Sequence, residues 1–345
     1  MLFCSAEILP NISHDTAVIE SRHSRLRRNA GAGCLIFSAA LWLSTTICFI
    51  GCWDQVAAIT LFPYWSWAML GCVAAYSALR LRRERWIWLL PSAWAVSTLC
   101  FLENLVPIIR LLGSDPAPLD SRRPGSLRVV ALNCAGNPAA AAEVGALKPE
   151  IVLLQEIPST NQLARLAHEW FGDTGSFLAG FDCAILARGA ISNTDSRLPP
   201  QHTRAVVYLQ NMPALLVTSL RLVPPVGRFD LWNPEAWRAA ADNRRLRRRQ
   251  LQAVLEREPP RTEMPEVFGG DFNAPVPDAI FKLMGHFHDA YRESGRGWGN
   301  TALNNMPIAR PDQIWLKGLH AVSARAIRTQ YSDHRLVVAD IELPH

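Results

Sequence analysis

Apolar residues are distributed in two ways along this chain, and the change falls near residue 113. Before it come three long apolar runs, about Gly31 to Trp53, Val56 to Leu79 and Trp86 to Leu112. The first two contain no Asp, Glu, Lys or Arg, and each is long enough for a hydrocarbon core that needs about 20 helical residues. The third is uncharged from Trp86 to Leu102, meets Glu103 and Asn104, and turns apolar again at Leu105. Glu103 either caps the span at the interface or sits inside a helix bundle, where an acid is a functional candidate. Pro91 and Pro107 are tolerable in such a helix because neighbours can satisfy the freed carbonyls. Trp53 and Trp86, at run edges, suit interfacial anchoring.

After residue 113 the pattern becomes that of a layered α/β domain. Short buried strands are expected at Leu127 to Leu132, Ile151 to Leu154, Ala184 to Ala187, Ala205 to Leu209, Ala214 to Thr218, Val267 to Phe268, Gln313 to Leu316 and Leu336 to Ile341. Helices are expected after Gly136, at Thr160 to Trp170 and at Pro234 to Glu256. Strands and helices alternate without a GxGxxG or Walker loop, which argues against a nucleotide-binding fold. Ser114 to Gly125, with Pro116, Pro118 and Pro124, reads as a linker.

Charge supplies an orientation. The net charge is a mild +5. Arg22, Arg25, Arg27 and Arg28 precede the first span, and Arg80, Arg82, Arg83 and Arg85 crowd the second loop, whereas the first loop offers only Asp54 and Gln55. The positive-inside rule then puts the N-terminus in the cytoplasm and, after three crossings, the α/β half outside it. A cleaved signal peptide fits poorly, since the first run is long, starts late and is followed by two more. The expected plan is a cytoplasmic tail (1–30), three transmembrane helices (31–112), a linker (113–126) and a catalytic domain (127–345) in a multi-pass inner-membrane protein facing the periplasm or exterior. Of the 8 cysteines only Cys134 and Cys183 fall in the α/β half, and no CxxC pair occurs, so a disulfide framework or zinc module is not expected. A Cys134–Cys183 disulfide stays open.

Polar residues recur where the apolar runs of the α/β half end: Asn133, Glu156, Asp271 with Asn273, Asp312, and Asp333 with His334. If the strand geometry continues through Gly270-Asp271-Phe272-Asn273, Asp271 and Asn273 share a face. Each residue alone has a bland reading as a turn, cap or helix-start residue. Together they describe one site on a sheet rim, with the carboxylates, amide and imidazole needed to hold a divalent cation and move protons around a phosphate.

The order Leu132-Asn133, Leu154-Gln155-Glu156, Gly270-Asp271-Phe272-Asn273, Asp312-Gln313-Ile314 and Ser332-Asp333-His334-Arg335 closely resembles the endonuclease/exonuclease/phosphatase superfamily. That group includes deoxyribonuclease-type nucleases, abasic-site endonucleases, inositol-phosphate phosphatases and neutral sphingomyelinases. The likeness covers about Leu127 to Leu343 and suggests a membrane-anchored, bacterial-type member. It implies a four-layer α/β/β/α sandwich of two mixed sheets and Mg²⁺-dependent hydrolysis of phosphoester bonds, with Mn²⁺ as a possible substitute. By resemblance, Glu156 is the principal metal ligand, with Asn133 and Asp333 completing the metal shell. Asp271 orients or deprotonates the attacking water, Asn273 holds that water or a phosphate oxygen, and His334, fixed by Asp312, donates to the phosphoryl oxygen.

Two departures stand out. The family's usual His or Tyr, in a strand before GDFN, is matched by Ser219 in Val217-Thr218-Ser219-Leu220, which leaves altered efficiency, substitution by His202 or a degraded site. Pro311 precedes Asp312 where an apolar residue is usual. The arginine run Arg244, Arg245, Arg247, Arg248 and Arg249 reads as a solvated helix face, or as a surface for anionic lipid or a nucleic-acid backbone. Arg296, Trp298 and Asn300 lie in a glycine-rich stretch that reads as a substrate loop or an ordinary turn. Substrates from nucleic acid to phospholipid headgroups and small phosphoesters all fit, and no protein partner can be inferred. The alternative is a catalytically weakened envelope protein that binds phosphate-containing ligands or lipid headgroups in the same cleft.

Overall fold

The computed structural model describes residues 12–82, 84–112, 123–194, 201–256 and 264–343, with side chains from 22 onward. Most of the expected linker, residues 113–122, Arg83 and the first eleven residues lie outside them. The helices are α1 (Ile12–Gly51), α2 (Ala57–Thr60), α3 (Tyr64–Arg82), α4 (Leu89–Phe101), α5 (Leu105–Leu112), α6 (Pro138–Glu143), α7 (Thr160–Phe171), α8 (Pro234–Leu255) and α9 (Ala290–Ser294). The strands are β1 (Leu127–Asn133), β2 (Ile151–Gln155), β3 (Ser176–Ala179), β4 (Cys183–Ala187), β5 (Gly189–Asn193), β6 (His202–Leu209), β7 (Leu215–Arg221), β8 (Glu266–Asp271), β9 (His288–Asp289), β10 (Asp312–Lys317), β11 (His320–Ile327) and β12 (Leu336–Glu342). Two compact units result, one from the chain up to Ile50 with Tyr64–Leu102, the other from Gly51–Pro63 with Glu103 onward.

In the helical unit, Arg22–Gly51 is by itself long and apolar enough to cross a membrane. The second and third apolar runs are each broken, Asp54–Thr60 from Tyr64–Arg82 and Arg85–Phe101 from Leu105–Leu111. Pro63 explains the first break, because it lacks an N–H and biases the preceding residue away from helix. Pro91 and Pro107 stand in the first turns of α4 and α5, where an N–H has no intrahelical acceptor, so neither interrupts a continuous span as expected. Buried Trp94 donates to Ser38 Oγ at 3.1 Å, and Ser38 donates to the Gly71 carbonyl at 2.7 Å, joining α1, α3 and α4. A Cβ on Gly71 would lie 2.2 Å from the Trp94 ring, so only glycine permits this approach. Ile36, Leu43, Ile50, Val73, Leu89 and Val96 are exposed, giving a polar-glued interior and an apolar exterior.

The second unit holds two mixed six-stranded sheets, ordered β11-β12-β1-β2-β4-β3 and β5-β6-β7-β8-β10-β9. Val129, Ala131, Ile151, Leu153, Val217, Val267 and Ile314 fill the space between the sheets. Val130, Leu132 and Leu154 instead face α6 and α7 through Ala140, Leu163 and Phe171, and Phe268 and Leu220 face α8 and the turn Ala279–Met284. This alternation along each strand produces the α/β/β/α sandwich. The expected strands and helices are present, but β3, β5, β9 and β11 were not anticipated.

The connector Gly51–Pro63 folds with this second unit. Ala57 and Ala58 pack with Ala240, Leu231 and Trp237. Arg244, 1 % exposed, pairs with Asp278 at 3.1 Å and donates to Thr60 Oγ1 at 2.5 Å and to the Trp53 carbonyl at 3.1 Å. Arg248 clasps Asp54 with both guanidinium nitrogens at 2.9 and 2.6 Å, Arg245 lies 3.6 Å from the same carboxylate, and Arg247 donates to the Asn273 carbonyl. The arginine run is therefore mostly internal wiring rather than a solvated face or lipid patch. Arg244→Met would leave the buried Asp278 with only the longer Arg247 pair at 3.7 Å, and it is expected to destabilise the unit by about 2–4 kcal/mol. Thermal unfolding of the full-length protein in detergent checks this, with Asp278→Asn in the same chain expected to restore part of the loss.

Candidate active site

The site forms where β1, β2, β7, β8 and β10 reach one edge of the sandwich. Asn133 pairs with Gln155 across β1 and β2, and Asp271 pairs with both Arg221 of β7 and Asp312 of β10. Asn133, fully buried, joins the sheets: its amide nitrogen donates to Glu156 Oε1 at 2.9 Å and to Asp271 Oδ2 at 3.1 Å. Its oxygen accepts from the Ala135 N–H at 3.0 Å. The amide thus orients two carboxylates and has its oxygen engaged.

Local backbone geometry turns these side chains inward. Gly270 has φ +138°, and a Cβ there would meet the Leu220 carbonyl oxygen at 2.0 Å, so the GDFN glycine is obligatory. Glu156, at φ +47°, leaves β2 in a left-handed conformation that a glutamate adopts at a cost. The strand does not continue past Asp271. Asn273 has φ +51°, its N–H donates to Asp271 Oδ1 at 2.8 Å, and its side-chain amide donates to the Leu222 carbonyl at 2.7 Å. It locks the turn, instead of sharing a strand face with Asp271 as expected.

Asp271, Asp312 and His334 bring one donor atom each to within 4.8 Å of one another. Asp312 Oδ2 accepts from Thr301 at 2.5 Å and lies 2.8 Å from His334 Nδ1, while its Oδ1 is sealed from solvent without a partner. Burial, then the charge of Asp312, raises the Asp271 carboxyl to about 6 against the opposing pull of His334 and two hydrogen bonds. Burial also opposes the His334 imidazolium, but the charge and hydrogen bond of Asp312, with Asp271 and Asp333, outweigh it and push His334 up to about 10. His334 is accordingly a cation held between carboxylates. Ser332 fixes this segment by donating to the Asn133 carbonyl at 2.7 Å and accepting from the His334 N–H at 3.0 Å.

Other expected site residues fall elsewhere. Asp333 is exposed, and no hydrogen bond among the described residues joins its carboxylate to Asn133 or Glu156. Ser219 is fully buried, one level below the site opposite Gly269, and its hydroxyl is engaged by Gln155 Nε2 and the Leu154 carbonyl, each at 3.0 Å. Asn300 is buried and accepts from Asn104 at 3.0 Å, which makes it a support of its loop; Arg296 is partly exposed in the same loop. His202 is buried in β6 opposite Leu220. Cys134 and Cys183 are buried and free.

Two residues went unanticipated. Arg221, two positions beyond Ser219 on the same strand face, is level with Asp271 and bridges Glu156 at 2.7 Å and Asp182 at 2.8 Å. Thr301 supports Asp312. Extending the alternation of β7 by two residues would have reached Arg221, but only the pairing register shows which level meets the site.

The chemistry of the donor set fits a hard divalent cation. Glu156 is one-third exposed, the second oxygen of Asp312 is a buried acceptor without a donor, and oxygen donors predominate. A double-sheet α/β sandwich with carboxylates, an amide and an Asp–His pair at one edge defines a hydrolase. A sequence profile of the Endonuclease/Exonuclease/phosphatase family matches residues 130–334, and the chain belongs to that family, whose members are phosphoesterases and nucleases. No curated protein matches the sequence significantly. Among solved structures, the fold is similar to an endonuclease/exonuclease/phosphatase from Bacteroides vulgatus (16% identity, 64% of this chain and 99% of that one, TM-score 0.49). It is also similar to a mannosyl-6-phosphatase from Bacteroides thetaiotaomicron (16% identity, 63% and 99%, TM-score 0.48). A third is D. rerio TDP2 complexed with single strand DNA product (16% identity, 63% and 99%, TM-score 0.43).

Proposed function

We propose that this protein is a membrane-anchored, Mg²⁺-dependent phosphoesterase whose catalytic unit works outside the cytoplasm. The observation that carries this reading is the Asn133 amide tying Glu156 of one sheet to Asp271 of the other, beside the Asp312–His334 pair. Asp271, anionic at neutral pH, accepts the proton of the attacking water. The His334 imidazolium keeps its Nδ1 on Asp312 and offers its other N–H to the phosphoryl oxygen as charge builds there. Arg221 supplies a second cation at the same level, available to a phosphate oxygen or to the leaving group. Glu156 would hold the metal with waters and the neighbouring carboxylate oxygens, and the ion, when bound, neutralises phosphate charge. Mn²⁺ offers similar coordination. Hydrolysis of a panel of phosphomonoesters and phosphodiesters by the full-length protein, with Mg²⁺ against chelator and beside Glu156→Gln, tests the reading. Absence of metal-dependent turnover across the panel would sink it.

A serine at position 219 by itself favours a weakened, ligand-binding site. Arg221 restores a cationic donor at the level of Asp271, so the enzymatic reading is preferred. Arg221→Ala is expected to lower kcat/KM roughly 10- to 100-fold, the scale of a lost charge-assisted hydrogen bond, whereas Ser219→Ala should change it far less.

Wiring inside the catalytic unit supports the orientation. Asp54 and Thr60, in the connector after the first span, are bound by Arg248 and Arg244 of α8. A connector on the catalytic side, with two further crossings before Glu103, is the arrangement this wiring and the arginine asymmetry support. The exposed apolar side chains of α1, α3 and α4 suit lipid on all outer faces. A reporter active only in the cytoplasm should be silent at the C-terminus and active at the loop around Glu84; a C-terminal signal would overturn this orientation.

A further inference from the structure

We infer that the protein carries a second metal site, for a zinc-type transition-metal dication, built from His288, Glu293 and His320. His288 Nε2 lies 3.1 Å from Glu293 Oε2, and His320 Nδ1 lies 2.9 Å from Oε1. One donor atom from each residue falls within 4.8 Å of the others, and the imidazole rings are 5.7 Å apart. The His288 nitrogen is the telling atom. It is sealed from water and makes no hydrogen bond, although it faces a carboxylate. The nitrogen is thus buried and turned to Glu293 at ion-pair distance without an aligned hydrogen bond, in an imidazole whose remaining edge is exposed, and this placement suits a ligand nitrogen. Glu293 is oriented from behind, since its Oε2 accepts the Ala321 N–H at 3.0 Å, an outer contact of the kind that fixes metal-bound carboxylates.

The donor chemistry separates this site from the active site. Two imidazoles and one carboxylate are a zinc ligand set with a position left for water, whereas the oxygen-rich catalytic edge suits Mg²⁺. Ligands about 2.0–2.1 Å from a tetrahedral ion lie roughly 3.3 Å apart, so the two histidine–glutamate spacings need only a small outward adjustment. The place in the fold indicates what the ion does. His288 is in β9, at the margin of one sheet, and His320 opens β11, at the margin of the other. Glu293 belongs to α9 between them. His288 pairs with Leu316, near the end of β10 opposite Asp312, which sets the cluster away from the catalytic edge. A bound ion would clip together two edge strands that have few other lateral partners, as a structural staple.

The inference is independent of the proposed hydrolysis. Chelator-stripped full-length protein in detergent, titrated with Zn²⁺ in excess Mg²⁺, should bind one Zn²⁺ per chain and raise its thermal midpoint by several degrees. Co²⁺ in its place should give visible d–d bands of a nitrogen-containing, low-coordinate site. His288→Ala and His320→Ala should lose the stoichiometric ion, the bands and the thermal shift, while Glu156→Gln should retain all three. Wild-type protein without Co²⁺ bands or stoichiometric Zn²⁺ would overturn the site, as would full binding in His320→Ala. Bands and stoichiometric ion that persist in His334→Ala belong to this cluster and not to the Asp271–Asp312–His334 group, and their loss in that variant would overturn the site.

Discussion

Asp271→Asn is expected to lower kcat of the Mg²⁺-loaded protein by about 10²- to 10⁴-fold, the usual contribution of a positioned general base. The substitution keeps the shape and removes the ability to take a proton, but its single amide oxygen can accept from only one of the Asn133 amide and the Asn273 N–H. KM should change little, because the group acts on water rather than on the bound phosphate. The effect on stability depends on pH. Burial and Asp312 hold the folded carboxyl at about 6, above its usual value, so its ionisation opposes folding, increasingly as pH rises from the unfolded value to the folded one. At neutral pH that penalty is fully present, and the neutral amide escapes it. Metal-free Asp271→Asn should thus lose the part of the stability decline with rising pH that comes from this carboxyl, while the one hydrogen bond it gives up works against it at every pH. Comparable turnover in Asp271→Asn would remove this residue from the chemistry.

His334→Ala is expected to lower kcat by about 10²- to 10³-fold, the scale of losing one preorganised donor at a developing anion. Unlike Asp271, this residue also supports the fold. Asp312 is 0 % exposed, and removing its imidazole partner leaves it with Thr301 alone, so His334→Ala should melt earlier than wild type. His334→Gln separates the two effects. Its amide can still donate toward Asp312, so stability should recover in part while turnover stays low. If turnover recovered with stability, His334 would be a strut and not a participant in phosphoryl transfer. Asp312→Asn should resemble His334→Gln in direction, since it weakens the charge that keeps the imidazole protonated.

Much of the fold was legible because two-sided burial writes itself into sequence. β1, β2, β4, β7, β8, β10 and β12 lie inside sheets, with neighbours on both sides, and apart from polar chemistry at their ends they appear as short apolar runs. The unanticipated strands β3, β5, β9 and β11 are the four outer strands of the two sheets. An edge strand has one lateral neighbour and more solvent, so its residues alternate irregularly or stay polar; β5, for instance, has no buried residue. Residue-level chemistry was legible to the same depth. Asn133, Glu156, Asp271, Asp312 and His334 stand at the ends of apolar runs and converge, whereas Asn273, Ser219, Asn300 and Asp333 took other places for reasons that depend on a turn, a register or a distant carbonyl.

The amino-acid sequence by itself determined the apolar runs, the order of central strands and helices, and the polar groups that end those strands. Each of these is local: a run of apolar side chains or a glycine that must turn leaves its mark within a few residues. Only the tertiary structure decided that Arg221, not Ser219, stands level with Asp271, because pairing register is set by contacts between segments about 50 residues apart. It alone turned the arginine run inward onto Asp54, Thr60 and Asp278, and it alone set His288 and His320 on either side of Glu293. Ion pairs, register and metal-ligand geometry depend on distances through space, and residue spacing along the chain does not encode those distances.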